Sequence, residues 1–359
     1  MAPPEEELAT ANASEMTQVP HSSGKTIVDA KKAEDAPPGA ISDKDLLQRA
    51  EEKAAAECYL AAGQLLQQVS DKSLLTDYHR HILEIAQRGA KIKDELFQEF
   101  QTGGWHKQTE IHGRRDTCIY YKVNDDASLV VRIETPIESS LLNPLLAVFN
   151  ETDMYASWMP SFKFPRLGVQ ESEKMKEFGR GHQVVRVRIA MPFPFHDREC
   201  VQHAVAIDSI ETTQEDDDDD GCIVIAVQSY DGGENVNGFE IPLPERRVRR
   251  VFLEAGIVIR PCPADHPALK KSRNQYDGEK LLLVQVIQQM DAHVAGVPMS
   301  MINFFTRTVL GTMWGSLLQV AEDVREGKRP AFTAALEEHR ELYDWVGSRV
   351  QVMLDQIHN

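Results

Sequence analysis

The chain offers few residues whose types and spacing suit chemistry. The nearest thing to a nucleophile and base is Cys262 with His266, inside Pro261-Cys-Pro-Ala-Asp-His-Pro267. A thiol acts as a nucleophile only when its surroundings favour the thiolate. Nothing nearby supplies such surroundings, so a proline-rich turn is the better reading. Twelve histidines are scattered along the chain, none in a Gly-x-Ser-x-Gly or His-Glu-x-x-His setting. His79 and His81 lie two apart on an expected helix and point to different faces, which is wrong for a shared metal. Asp216 to Asp220 form an unbroken acidic run. Calcium loops alternate their ligands and add a backbone carbonyl, so this reads as a solvated turn. Ser23-Gly-Lys-Thr26 matches the end of a phosphate-binding loop, but Val19 stands where the first glycine belongs. No catalytic residue, metal or cofactor is expected.

Composition narrows the class further. Hydrophobic residues make up 42% of 359, enough for a substantial core, and the formal net charge of −17 argues against nucleic acid. The same charge disfavours permanent adsorption to anionic lipid while leaving room for a local basic patch to dock transiently. Five widely spaced cysteines (Cys58, Cys118, Cys200, Cys222, Cys262) form neither a disulfide framework nor a zinc ribbon. The start of the chain carries no basic, apolar leader, and a cytoplasmic setting is expected. Val297 to Ala321 contains one charge, Arg307, but Asn303, Thr306, Thr308, Thr312, Ser316 and Gln319 interrupt it. It reads as a buried helix rather than a membrane span. Within it, Gly311 and Gly315 suggest close packing on a strand.

Helices at both ends and strands between them must position these residues. Residues 1–42, rich in Ala, Pro, Glu, Ser and Thr, show no apolar period and are expected to be a disordered tail. Asp43 to Val69 reads as one helix, Leu74 to Phe100 as a second, packed as an antiparallel hairpin. From Trp105 to Ile133, turn residues at His112-Gly113 and Asn124-Asp125-Asp126 separate three short strands of a meander. Val185, Val187 and Ile189 alternate with Arg186 and Arg188. The run Met191-Pro-Phe-Pro-Phe-His-Asp-Arg-Glu-Cys-Val201 then forces a turn, because two prolines fix φ and remove donors. Val248 to Pro261 reads as one long strand, Leu281 to Asp291 as another. After Arg329-Pro330, Phe332 to Ile357 reads as a final helix, with Tyr343 and Trp345 available to anchor it to the body or to a partner.

A strand, a Pro-aromatic-Pro turn, Asp-Arg-acid and a further strand resemble the START (steroidogenic acute regulatory lipid-transfer) family. In motif they are nearest to its phosphatidylcholine-transfer branch. Four further segments fall in that family's order. Gly104-Trp105 opens the region, and Trp158 follows the helix-like Ile137–Tyr155 stretch. Val248–Pro261 occupies the penultimate-strand position, and Leu281–Asp291 runs through Gly296-Val297-Pro298 into an apolar helix reaching about Val324. The resemblance covers roughly residues 75–328.

It implies an α+β helix-grip fold: a curved antiparallel sheet wrapped around a long C-terminal helix, enclosing an apolar cavity, with added helices at both ends. The implied organisation is a tail at 1–42, a helical extension at 43–74, the lipid-binding domain at 75–328 and a C-terminal helix at 329–359. The implied function is non-enzymatic: one glycerophospholipid or related lipid is held in the cavity, gated by the C-terminal START helix, and carried between membranes through transient contact. The N-terminal helical pair reads as a structural extension of the domain, with a docking module for a protein partner as the alternative. Lipid contacts are implied at Tyr155, Trp158, Met159, Arg186, Arg188, Met301, Phe304, Phe305, Val309 and Met313. The choline branch carries an Arg three residues before the Trp and an Asp just after it; here Tyr155 and Met159 stand there. The sterol branch's carboxylate and Arg are replaced by Arg188 and Ala204. Periodicity puts Arg186 and Arg188 on the solvent face, whereas family alignment turns them to the cavity. The rival readings are a superfamily cyclase or hydrolase, and a lipid-sensing interaction module.

Overall fold

The computed structural model describes residues 41–111, 115–123, 129–164, 166–212, 221–269, 280–290 and 310–356. The chain divides into Met1–Ser42 and Asp43–Asn359, and every helix and strand described belongs to the second unit. The tail expected at 1–42 lies almost wholly outside the described residues.

Helices α1 (Asp43–Ala55), α2 (Tyr59–Gln68) and α3 (Asp77–Gln101) come first. The single helix expected over Asp43–Val69 is thus two. Glu57 sits at φ 60°, its N–H bonds Ala54 O, and Cys58 N–H bonds Lys53 O five residues back. That pair of bonds is a Schellman stop, usually made by glycine. Thr76 caps α3: His79 N–H bonds Thr76 Oγ1 while Thr76 N–H bonds His79 Nδ1, and His79 Nε2 reaches Glu51 at 2.9 Å. His79 is therefore a buried helix cap.

Strands β1 (His106–Ile111), β2 (Thr117–Val123) and β3 (Leu129–Glu138) form the expected meander. Helix α4 (Leu142–Asn150) and a 3-10 turn (Thr152–Ser157) follow. Then come β4 (Phe162–Lys163), β5 (Arg166–Gly179), β6 (His182–Ala190), β7 (Asp197–Asp208), β8 (Ile223–Ser229) and a small hairpin, β9 (Asn235–Val236) with β10 (Phe239–Glu240). The strand expected over Val248–Pro261 is broken into β11 (Val248–Arg250), which pairs parallel to the start of β7, and β12 (Leu253–Pro261). Strand β13 (Leu281–Met290) precedes α5 (Leu310–Arg325), α6 (Pro330–Glu338) and α7 (Arg340–Gln356). The one final helix expected is thus two, parted at His339 (φ −101°, ψ 30°).

The main sheet runs β1-β2-β3-β13-β12-β8-β7-β6-β5-β4, with β11 beside β7. Its two faces are packed differently. On one, Ile119, Ile133, Val284, Ile257 and Ile223 bury against α5 through Leu310, Trp314, Leu317 and Val320, with α4 and α7 in the same core. On the other, Ile207, Val224 and Val258 bury beneath α2 and α3. Gly256 lets α3 approach closely, since a Cβ there would lie 2.3 Å from Leu96 Cδ1. The architecture is α+β, a helix laid across one face of an antiparallel sheet with helices added at both ends of the chain. Gly311 and Gly315, expected to face a strand, have no described atom within 4 Å of where a Cβ would sit. Among the described residues no helix is long and apolar enough to cross a membrane.

Candidate functional site

Strand register decides which side chains share the α5 side of the sheet. On β6 the odd positions, Gln183, Val185, Val187 and Ile189, pair with Ala204, Gln202, Cys200 and Arg198 on β7. These β7 residues lead through Val227 and Ile225 to Ile257 beneath α5. This inner face is largely apolar.

Tyr155, Trp158 and Met159 come from the 3-10 turn after α4 and pack on the same core. Tyr155 and Trp158 meet edge to face, with centroids 5.7 Å apart at 81°. The Tyr155 hydroxyl donates to Phe149 O at 2.6 Å, and burial, with the Glu151 charge adding to it, pushes its pKa well above the usual phenol value. The turn is fixed to β5 by Lys174 N–H, which donates to Asp153 at 3.0 Å. Trp158 is 8% exposed, yet its indole N–H has no hydrogen-bond partner among the described residues. Met313 lies half-buried on α5 against this core. Met301, Phe304, Phe305 and Val309 lie outside the described residues, as does the Gly296-Val297-Pro298 turn.

Arg186 and Arg188 are on the opposite face. They share it with Val184, whose neighbours are Val201, Val236 and Ile241 under the β9–β10 hairpin. Arg186 pairs with Glu173 at 2.9 Å and Glu199 at 3.8 Å; Arg188 pairs with Glu245 at 3.0 Å and Glu171 at 3.8 Å. The structure does not bring them to Trp158.

Sequence reasoning passed over three polar side chains. Thr152 Oγ1, Ser172 Oγ and Gln183 Oε1 are, like Trp158 Nε1, buried without a hydrogen-bond partner. Ser172 pairs with Val187 and therefore shares the inner face with Gln183. Thr152 belongs to the turn that carries Tyr155, and the turn packs on β5. A buried polar atom without a partner costs about 1–3 kcal/mol. Only the tertiary structure shows such an atom, because a Ser or Thr in a strand or turn is ordinary in sequence.

One end of α5 is tightly fastened. Trp314 Nε1 donates to Thr135 Oγ1 at 2.8 Å, and Thr135 meets Thr117 at 2.9 Å. Buried Arg115 bridges Glu322 on α5 and Glu138 at the end of β3, and Arg325 pairs again with Glu322. Burial alone would raise the Glu138 carboxyl, but the Arg115 hydrogen bond and charge hold it below the usual range.

Cys262 and His266 are not coupled. His266 Nε2 meets Glu134 at 3.2 Å and its Nδ1 accepts from Ala268 N–H, so both ring nitrogens are occupied; the thiol meets Pro263 O. Burial pushes the Cys262 thiol up to about 12.

No family model matches this chain, and no curated protein matches it. Solved structures do show a similar layout. Human STARD10 is 12% identical with a TM-score of 0.46, over 69% of this chain and 86% of that one. A STAR-related lipid transfer protein fragment from Xanthomonas axonopodis is 19% identical with a TM-score of 0.40, over 61% and 99%. The lipid transfer and protein localization domain of human StarD13 is 13% identical with a TM-score of 0.34, over 70% and 98%. The phosphatidylcholine-transfer branch in particular is not singled out. The fold itself rests on what this chain displays: an antiparallel sheet with α5 across its apolar face.

Proposed function

We propose that this protein binds one lipid, a glycerophospholipid or related molecule, against the inner face of its sheet and carries it between membranes without chemical change. The observation that carries this reading is the set of unpartnered polar atoms beside an apolar face. Trp158 Nε1 is a donor, and Gln183 Oε1 an acceptor, each more than nine-tenths buried. A ligand with acyl chains and a hydrogen-bonding head offsets both costs at once: roughly 25 cal/mol per Å² of apolar surface removed from water, and partners for the idle donor and acceptor.

A non-catalytic role is supported by the state of the thiols. Burial raises Cys58 and Cys200 to about 11 and Cys262 to about 12, so none of these three is activated as a thiolate. None of the five cysteines is in a disulfide, which supports a cytosolic setting. The described part of α5 is fastened by Trp314–Thr135 and the buried Arg115–Glu322 pair, contacts that gating by this helix would have to break. Native mass spectrometry of the purified chain, with lipid extraction, tests the reading. Close to one lipid per chain is expected. An empty, compact protein that takes up nothing from vesicles would overturn it.

A further inference from the structure

Four connections meet at one end of the main sheet. Gly168 near the start of β5 pairs with Ala190 at the end of β6, and Val248 of β11 pairs with Asp197 at the start of β7. The β4–β5 turn, the Pro192–His196 turn, the segment before β11 and the start of β12 therefore share that end. Large apolar side chains project there into solvent: Phe164 is 96% exposed, Phe193 97%, Leu243 77% and Phe252 40%.

The same end is rich in cations that lack acidic partners. Glu199 and Glu245 are taken by Arg250, Arg186 and Arg188, and Asp197 accepts from Met191 N–H at 3.2 Å. Lys163, Arg198, Arg246, Arg247 and Arg249 have no ion pair among the described residues. Arg249 is register-paired with Arg198 on the adjacent parallel strand. Like charges opposite each other destabilise a sheet, and burial, followed by the Arg249 charge, pulls Arg198 below its ordinary pKa. Arg247 holds φ 73°, a backbone that suits glycine, yet carries a guanidinium. A cationic, aromatic-tipped end on a chain of net charge −17 is therefore a local reversal of the molecule's field.

We propose that this end is a docking surface for an anionic bilayer, in which Arg246, Arg247, Arg249 and Arg198 meet lipid phosphates and carboxylates while Phe193 and Phe164 enter the interface. Charge complementarity picks the partner. Each arginine near an anionic membrane contributes attraction, and exposed aromatic rings lodge at the headgroup level. A nucleic acid would meet the same arginines but offers no apolar interior for the exposed Phe164 and Phe193 rings to enter. The proposal extends the lipid-carrier reading by naming the membrane it visits, and its test is separable from that reading.

The full chain is to be sedimented with vesicles of phosphatidylcholine alone and of equimolar phosphatidylcholine and phosphatidylserine. Binding only to the second, falling as salt is added, is expected. Arg246→Gln, Arg247→Gln and Arg249→Gln combined should weaken it roughly a hundredfold, about fivefold per charge. The corresponding triple lysine variant should restore it, which excludes a folding defect. Phe193→Ser should weaken binding without changing its salt dependence. Equal binding to both vesicles, an unaffected triple Gln variant, or displacement from vesicles by single-stranded RNA would each overturn the proposal. Protein that carries lipid but ignores phosphatidylserine vesicles defeats the docking surface alone. Protein that docks yet never carries lipid defeats the carrier reading alone.

Discussion

The two ends of β7 treat arginine in opposite ways. At the C-terminal end, Arg349 of α7 is 8% exposed and lies 2.5 Å from Asp208 and 2.6 Å from Glu211. Lys53 of α1 pairs with the same Glu211, and the Cys58 thiol faces Asp208 at 3.5 Å. The helices from both ends of the described chain are thus joined at one acidic corner. At the N-terminal end, Arg198 and Arg249 lie side by side with no acid between them. The first corner spends its charges on holding the fold together. The second leaves its charges available to something outside the chain.

The sharpest way to break that contrast is to make the same change at each end. Arg349→Leu strands Asp208 as a buried, unpaired carboxylate and should lower the unfolding free energy by about 3–5 kcal/mol in urea titrations. Arg249→Leu should change it by no more than about 0.5 kcal/mol, as at other exposed positions. Equal losses would mean that the two ends do the same job.

Between the ends, on the outer face, His182 and His203 place their Nε2 atoms 2.5 Å apart. Burial, then the His182 charge and Arg88, lowers His203 from 6.5 to about 4. A histidine with a depressed folded pKa stabilises the protein above 6.5, and that contribution is lost as pH falls from 6.5 through 4. Wild-type stability should therefore drop relative to His203→Asn across that window by about 2 kcal/mol, after discounting for partial solvent access. Parallel pH curves for the two proteins would refute the assignment. Glu134 gives a separate, lower window. Burial would raise it, but His266 and Arg132 hold it at about 2. Its contribution is present above 4.5 and fades from 4.5 toward 2, so Glu134→Gln should flatten only that range.

The smallest effect compares two buried indoles. Trp314→Phe loses a hydrogen bond to Thr135, and Trp158→Phe loses an N–H with no partner. Both remove the same volume, so in lipid-free protein Trp314→Phe should cost about 1 kcal/mol more in thermal or urea unfolding. Trp158→Phe should instead show itself as faster lipid loss. Equal stability costs would imply that Trp158 has an internal partner after all.

Much of this layout was legible in the residues. The alternation around Val185–Ile189, the turn forced by Pro192 and Pro194, the meander from Trp105 and the apolar stripe of α3 all follow from local periodicity and backbone chemistry. Asp197 also closes the turn on Met191, a local role for the aspartate of the motif. The misreadings share one cause. Glu57 stops a helix where a glycine would have signalled it, and His339 parts two helices inside one apolar stripe. The Val248–Pro261 run looks like one strand, but its first three residues pair with β7, with Arg250 opposite Glu199, and its remainder from Leu253 pairs with β8 and β13. In each case the backbone leaves the regular conformation at a residue whose type does not announce it, so apolar periodicity alone points to continuity.

The candidate site was less legible. Tyr155, Trp158 and Met159 can be placed after a short helix from sequence, but which face Arg186 and Arg188 take depends on which face the other elements cover. An alternating strand states that two faces differ, not which one α5 will bury. The sequence by itself determined the type and order of most elements, their alternation and the net acidity, because these depend on residue types and on neighbours within a few residues. Only the tertiary structure decided that Thr152, Trp158, Ser172 and Gln183 keep idle polar atoms beside an apolar face. It also decided that one end of β7 is neutralised while the other is bare, because hydrogen bonds and ion pairs between distant segments exist only once the sheet has assembled.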